Sequence, residues 1–220
     1  MSTREMFAAG GVVMWPLLIF SILAFILTVE RAVFWLRIRR RQRPLIKRVL
    51  NLYEANPAEA VALLKQSLGF PIARIFLEAL ELEDASPQQF SLALEGATHA
   101  EVPLLKRFSS VFQTIIAIAP LLGLLGTILG LIRSFAAVRI GDLGADASAV
   151  TGGISEALVS TAAGMIVAIF ALGAFNVFRA FYRRQLSLLQ EYSSQLEILH
   201  QRRHQNYSYS EKADYASIQR

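Results

Sequence analysis

The stretch FSSVFQTIIAIAPLLGLLGTILGLIRSFAAV, residues 108–138, decides how this chain folds. Arg133 is its only charge, and the run exceeds the roughly 20 apolar residues that cross the hydrocarbon core of a bilayer. A second such run, residues 154–178, carries the single charge Glu156, and a third, residues 12–34, has none before Glu30 and Arg31. Each reads as a membrane helix. Residues 139–153, with glycines and two aspartates against one arginine, read as a short loop, so the last two spans form an antiparallel hairpin. A cleavable signal peptide fits residues 12–34 poorly, because the run is long, only Arg4 precedes it as a basic residue, and no small-residue cleavage site follows.

These three runs account for the composition. The 220 residues are 54% hydrophobic and 18% charged, with a mean hydropathy of +0.43, too apolar for an ordinary soluble domain. The chain has no cysteine, which removes disulfides, thiolate nucleophiles and cysteine-based metal sites. With three histidines and neither HExxH nor GxxxxGK[ST], metal and nucleotide chemistry has no foothold. We expect no cofactor, no metal and no enzymatic activity.

Basic residues set the direction of the spans, since Lys and Arg near helix ends stay cytoplasmic. Arg37, Arg39, Arg40, Arg41, Arg43, Lys47 and Arg48 follow the first run; Lys106 and Arg107 precede the second; Arg179, Arg183 and Arg184 follow the third. All three clusters fall on one face. The expected order is an outer N-terminus (1–11), a span (12–34), a cytoplasmic helical segment (35–107), a span (108–138), an outer loop (139–153), a span (154–178) and a cytoplasmic helix with a tail (179–220). A net charge of +5 and a pI near 9.8 suggest nucleic acid, but charges abutting a membrane helix are explained by topology and by anionic lipids at the cytoplasmic face.

Within the cytoplasmic segment, Asn56-Pro57-Ala58-Glu59 and Ser86-Pro87-Gln88-Gln89 place helix caps. Gly69 before Phe70-Pro71 separates two helices, and Ile72, Ile75, Phe76 and Ala79 form an apolar stripe. The helix after Ser86 is expected to run past Pro103 into the second span as one rod kinked at each interior proline. Leu186, Leu189, Leu196 and Leu199 continue the third helix inward. Residues 201–220 have almost no aliphatic side chains and read as disordered.

Candidate chemistry lies where the apolar runs are interrupted. Glu156 is costly in a bilayer, about 2.5–3.5 kcal/mol on insertion scales, so it faces a bundle interior or water path, or else sits close enough to the surface to be solvated. Gly123, Gly126, Thr127 and Gly130 on one helix, and Ser160, Thr161 and Gly164 on the next, are small residues that let helices approach closely. Composition alone does not separate a pore lining from a packed interface.

Residues 119–127, APLLGLLGT, and 152–165, GGISEALVSTAAGM, resemble the paired signatures of the MotA/TolQ/ExbB proton-channel family, nearest its ExbB branch. Trp15-Pro16, Ser21, Glu30-Arg31, Asn176 and the three-span order are similar too; Phe170 departs from the family, standing where a proline usually follows an Ala-Ile pair. The resemblance implies an all-α membrane protein, a stator subunit in the bacterial inner membrane with a periplasmic N-terminus. It implies a homopentameric ring around the helices of an ExbD-like partner dimer, passing proton-motive force through a TonB-like protein to outer-membrane transport. By motif position the proton-path lining falls on Thr127, Glu156 and Thr161. A TolQ-like role in envelope maintenance and a non-conducting membrane scaffold are the competing readings; a passive scaffold needs no polar layer.

Antiparallel geometry checks that lining. The midpoint of Thr127 and Thr161 lies within about one helical turn, 5.4 Å, of the loop's centre, so both can share one layer. The same register sets Glu156 opposite residue 132, beside Arg133. Either Arg133 and Glu156 pair, within a chain or between neighbours, or Arg133 snorkels outward.

Overall fold

The computed structural model describes residues 11–82, 85–137 and 146–218, with side chains for all of these except 137, 146–150 and 206–218. The described residues form six helices and no strand: α1 (Met14–Ala55), α2 (Pro57–Lys65), α3 (Pro71–Leu80), α4 (Pro87–Leu105), α5 (Ser109–Ala137) and α6 (Asp146–Ile218). Residues 1–10 and 138–145, part of the expected outer N-terminus and loop, lie outside the described residues.

The chain divides into two compact units. The first comprises Met1–Ala32 and Phe108–Arg179, and contains the start of α1, all of α5 and the first part of α6. Its core joins Val13, Leu17, Ala24 and Leu27 of the N-terminal segment to Phe112, Ile115 and Ala119 of α5 and Ala168 and Ala171 of α6. The small residues in this set allow close helix approach where the hydrophobic effect gives helices no reason to associate. Many other large apolar side chains point outward: Trp15 is 63% exposed, Phe135 73% and Ile169 68%. In each of the three helices long and apolar enough to span a membrane, at most 28% of the apolar window is buried. Such an outside is unstable in water, and with three helices long and apolar enough to cross a bilayer this is a multi-pass membrane protein.

The second unit, Val33–Arg107 with Ala180–Arg220, has an ordinary polar outside and an apolar interior. Caps punctuate it as the sequence suggests. Asn56 Oδ1 accepts from the Ala58 N–H at 3.1 Å. Its own N–H is already donated to Leu52 O at 2.6 Å, so Glu59 Oε1 accepts a hydrogen bond from the Asn56 side-chain amide instead, at 3.0 Å. Ser86 and Gln89 make a reciprocal capping box, 2.9 and 3.3 Å. Helix α3 is buried on nearly every side, the stripe Ile72, Ile75, Phe76 and Ala79 included. The Arg74 guanidinium grips Glu101 of α4 through two bonds, 2.5 and 2.6 Å; this hydrogen bonding raises the Arg74 pKa further, against the effect of desolvation. Leu189 and Leu196 are fully buried along α6.

Four expectations need correction. Helix α1 runs unbroken through Pro44 to Ala55, where the sequence suggested short helices from residue 44. The rod expected after Ser86 is interrupted: α4 contains Pro103, α5 contains Pro120, and the break falls between them at Phe108, which has φ +65°. A left-handed residue, not a proline, stops the helix. Helix α6 starts at Asp146, so part of the expected loop is helical; Gly153 lies against α5, where a β-carbon would come 2.8 Å from Gly130 O. At its other end α6 stays helical to Ile218 where composition suggested disorder. A tail that extends an existing helix bears no nucleation cost, and its Gln, Arg, Glu, Lys and Ala residues are good helix formers.

Candidate functional site

The α5/α6 hairpin is built on a seam of glycines. A β-carbon at Gly123 would meet Thr161 Cα at 3.0 Å, one at Gly130 the Ala157 Cβ at 3.0 Å, and one at Gly164 the Ala119 carbonyl oxygen at 2.5 Å. At Gly126 it would overlap Ser160. All four glycines singled out in the sequence therefore sit where the backbones come closest, and the GxxxG spacing acts here as packing.

Hydroxyl groups line the same seam. Ser160 is fully buried and donates to Ala157 O at 2.8 Å, with Gly123 O at 3.4 Å. Thr161 reaches across the hairpin to Gly123 O at 3.1 Å. Thr127 turns into its own helix, donating to Leu124 O at 2.6 Å. Thr161 is thus level with Gly123, and Thr127 stands about 6 Å further along α5, toward the hairpin loop. The two threonines occupy adjacent turns rather than one layer. Each has spent its proton on a backbone carbonyl and keeps oxygen lone pairs as acceptors.

Arg133 and Glu156 meet. Arg133 Nη1 lies 2.5 Å from Glu156 Oε1, with the glutamate side chain 19% exposed and the arginine 51%. The pairing is within one chain, at the loop end of the hairpin, and it neutralises two groups that would each be costly in an apolar run. The segment entering α1 closes over this pair: Gly11, at φ +68°, presents its backbone to the Glu156 carboxylate, and any side chain there would overlap it. Val13 approaches Gly126 from the same direction.

Three features escaped the sequence reading. Ser134 is buried and donates to Gly130 O at 3.1 Å, and Gly153 packs beside it. The glycine pair Gly152-Gly153 was legible only as a loop signal. Arg31 is 2% exposed, 3.8 Å from Glu30 and 5.6 Å from the centroid of the Phe108 ring. Its burial has no periodicity signal, because an arginine beside Glu30 near the inner end of the run 12–34 reads as a boundary marker. No group of three or more His, Asp or Glu side chains able to hold a metal occurs among the described residues.

A glycine-seamed pair of membrane helices carrying hydroxyls and one ion pair defines a class, membrane proteins with a polar track through an apolar bundle. Sequence comparison gives the family. The sequence model of the MotA/TolQ/ExbB proton channel family matches residues 68–191. The chain is 56% identical over 210 residues to a Synechocystis protein provisionally named biopolymer transport protein ExbB-like 3, covering 95% of this chain and 99% of that one. It is 40% identical to the same organism's ExbB-like 1, over 88% and 77% of the two chains, and 30% identical to the biopolymer transport protein ExbB of Neisseria meningitidis, over 73% and 77%. The chain belongs to the MotA/TolQ/ExbB proton channel family, near proteins named ExbB.

Proposed function

We propose that this chain is the ring-forming stator subunit of a proton-driven complex in the inner membrane, with its N-terminus and hairpin loop periplasmic. Thr127, Thr161 and Glu156 line the proton path, and Arg133 holds Glu156 at its outer end. The observation that carries this reading is the polar track on the α5/α6 seam, which a passive anchor has no use for. A pentamer of this chain would surround the transmembrane helices of an ExbD-like dimer, and the resulting motion would reach a TonB-like protein and outer-membrane transport. The relatives named ExbB favour that outlet over TolQ-like envelope maintenance.

A lone chain holds its path closed. Both threonine hydroxyls donate to carbonyls and Glu156 is paired with Arg133, which supports this reading; the proton carrier comes from the partner, as the family resemblance implies. The driving force is about 2.3 kcal/mol per charge for each 100 mV, enough to shift a conformational equilibrium more than tenfold. Proteoliposomes holding this chain alone are expected to stay proton-tight under an imposed potential. Those holding the complex co-purified with its partner conduct. Equal conduction without any partner chain would contradict the proposal.

A further inference from the structure

Beyond the first and third apolar runs, α1 and α6 enclose a cavity of about 140 Å³ within the second unit. Trp35, Arg39, Gln42, Arg43, Arg184 and Gln185 form its working wall, and no carboxylate lines it. Trp35 is 2% exposed, yet its indole Nε1 is buried without a hydrogen-bond partner, a condition that folded chains avoid. Gln185 Nε2 donates to Gln42 Oε1 at 2.9 Å, which leaves the Gln42 amide nitrogen as a further donor at the wall. Arg39 lies 5.8 Å from the centroid of the Phe181 ring. None of the three arginines is ion-paired with a carboxylate among the described residues.

The cavity is therefore rich in donors and positive charge, poor in acceptors, and sized for one small oxyanion such as a phosphodiester, whose several oxygens match guanidinium and N–H donors. Sequence position says where that phosphate comes from. Trp35 is the first residue after the run 12–34, and Arg39 and Arg184 stand five and six residues beyond the ends of their runs, about 7.5 and 9 Å along a helix. Arg39 falls within the headgroup layer, about 5–8 Å thick on each side, where tryptophan is enriched. Arg184 stands just past it, and Arg43, nine residues beyond its run and about 13.5 Å along the helix, stands further in, so both meet the layer through side chains that lean back toward the helix N-terminus. The geometry points to a site for an anionic phospholipid, with the headgroup phosphate held by Arg43, Arg184 and the Trp35 N–H. This rests on the membrane reading of the helices and not on proton conduction, so either claim can fail alone.

The chain has two tryptophans, so Trp15→Phe leaves Trp35 as the only one. Full-length Trp15→Phe protein in detergent is titrated with short-chain phosphatidylglycerol, with phosphatidylcholine of the same chain length, and with inorganic phosphate, while Trp35 emission is followed. A saturable change with phosphatidylglycerol alone is expected, and Arg43→Gln with Arg184→Gln should weaken it about tenfold or more. An equal response to phosphatidylcholine would show that charge is not read, and saturation by inorganic phosphate at comparable concentration would make this a free-anion site. Either result, or no saturable response, overturns the proposal. If the double variant does not fold, the headgroup comparison in the Trp15→Phe protein decides the matter.

Discussion

Close approach governs the chemistry available to single residues in the hairpin. At Gly164 an added methyl would press on the Ala119 carbonyl, a backbone atom that cannot turn away, so Gly164→Ala should destabilise the protein by about 1–3 kcal/mol. Gly96, on an open face of α4, has nothing within 4 Å of the same position. Gly96→Ala should be neutral or stabilise by up to about 1 kcal/mol. Unfolding titrations in detergent that ranked the two alike would refute the role given to the glycine seam. A different residue-scale effect concerns Tyr53, whose hydroxyl meets His200 Nδ1 at 2.9 Å. Burial raises its pKa above the usual 10.0, with Arg203 opposing. Because the folded value lies above the unfolded one, the stability from this group is whole below pH 10 and is lost as pH rises through the folded value. Tyr53→Phe should remove that share of the alkaline loss, a difference visible when melting curves of the two proteins are compared above pH 10.

Helices and their ends show what the sequence makes legible. The three spans are readable because apolar length has one cheap explanation, and an antiparallel hairpin fixes which numbers stand opposite, which sets Arg133 near Glu156 but leaves pairing and outward snorkelling equally open. The same register places Thr127 only to within a turn, since glycine contacts such as Gly123 with Thr161 let helices slide where side chains would lock them. The stop at Phe108 is illegible for another reason. A left-handed, non-glycine residue has no propensity signature, whereas Pro103 nearby offers a false one. Helix ends at residues 146 and 218 were missed because tertiary packing of Gly153 and extension of an existing helix outweigh local composition. If the break belongs to Phe108, the backbone amides of residues 106–108 should exchange faster than those in α4 and α5, and Pro103→Ala should leave that pattern unchanged. Protection extending through residues 106–108 in Pro103→Ala would assign the break to the proline instead.

Taken whole, the molecule inverts the usual arrangement in one of its units and keeps it in the other. The first unit turns many large apolar side chains outward around a core that mixes alanines with Leu17, Phe112 and Ile115; the second buries an apolar core under charge. That contrast is the expected division between lipid and water, and the polar residues of the α5/α6 seam are where we propose that a proton is handled. The most direct test is proton flux into proteoliposomes carrying the complex with its partner chain. Thr161→Ala and Glu156→Ala should assemble as the parent does while losing flux by about tenfold or more, the range for polar groups that act directly on a transferred proton. Flux undiminished in both variants, with assembly intact, would contradict the assignment of the path to this seam.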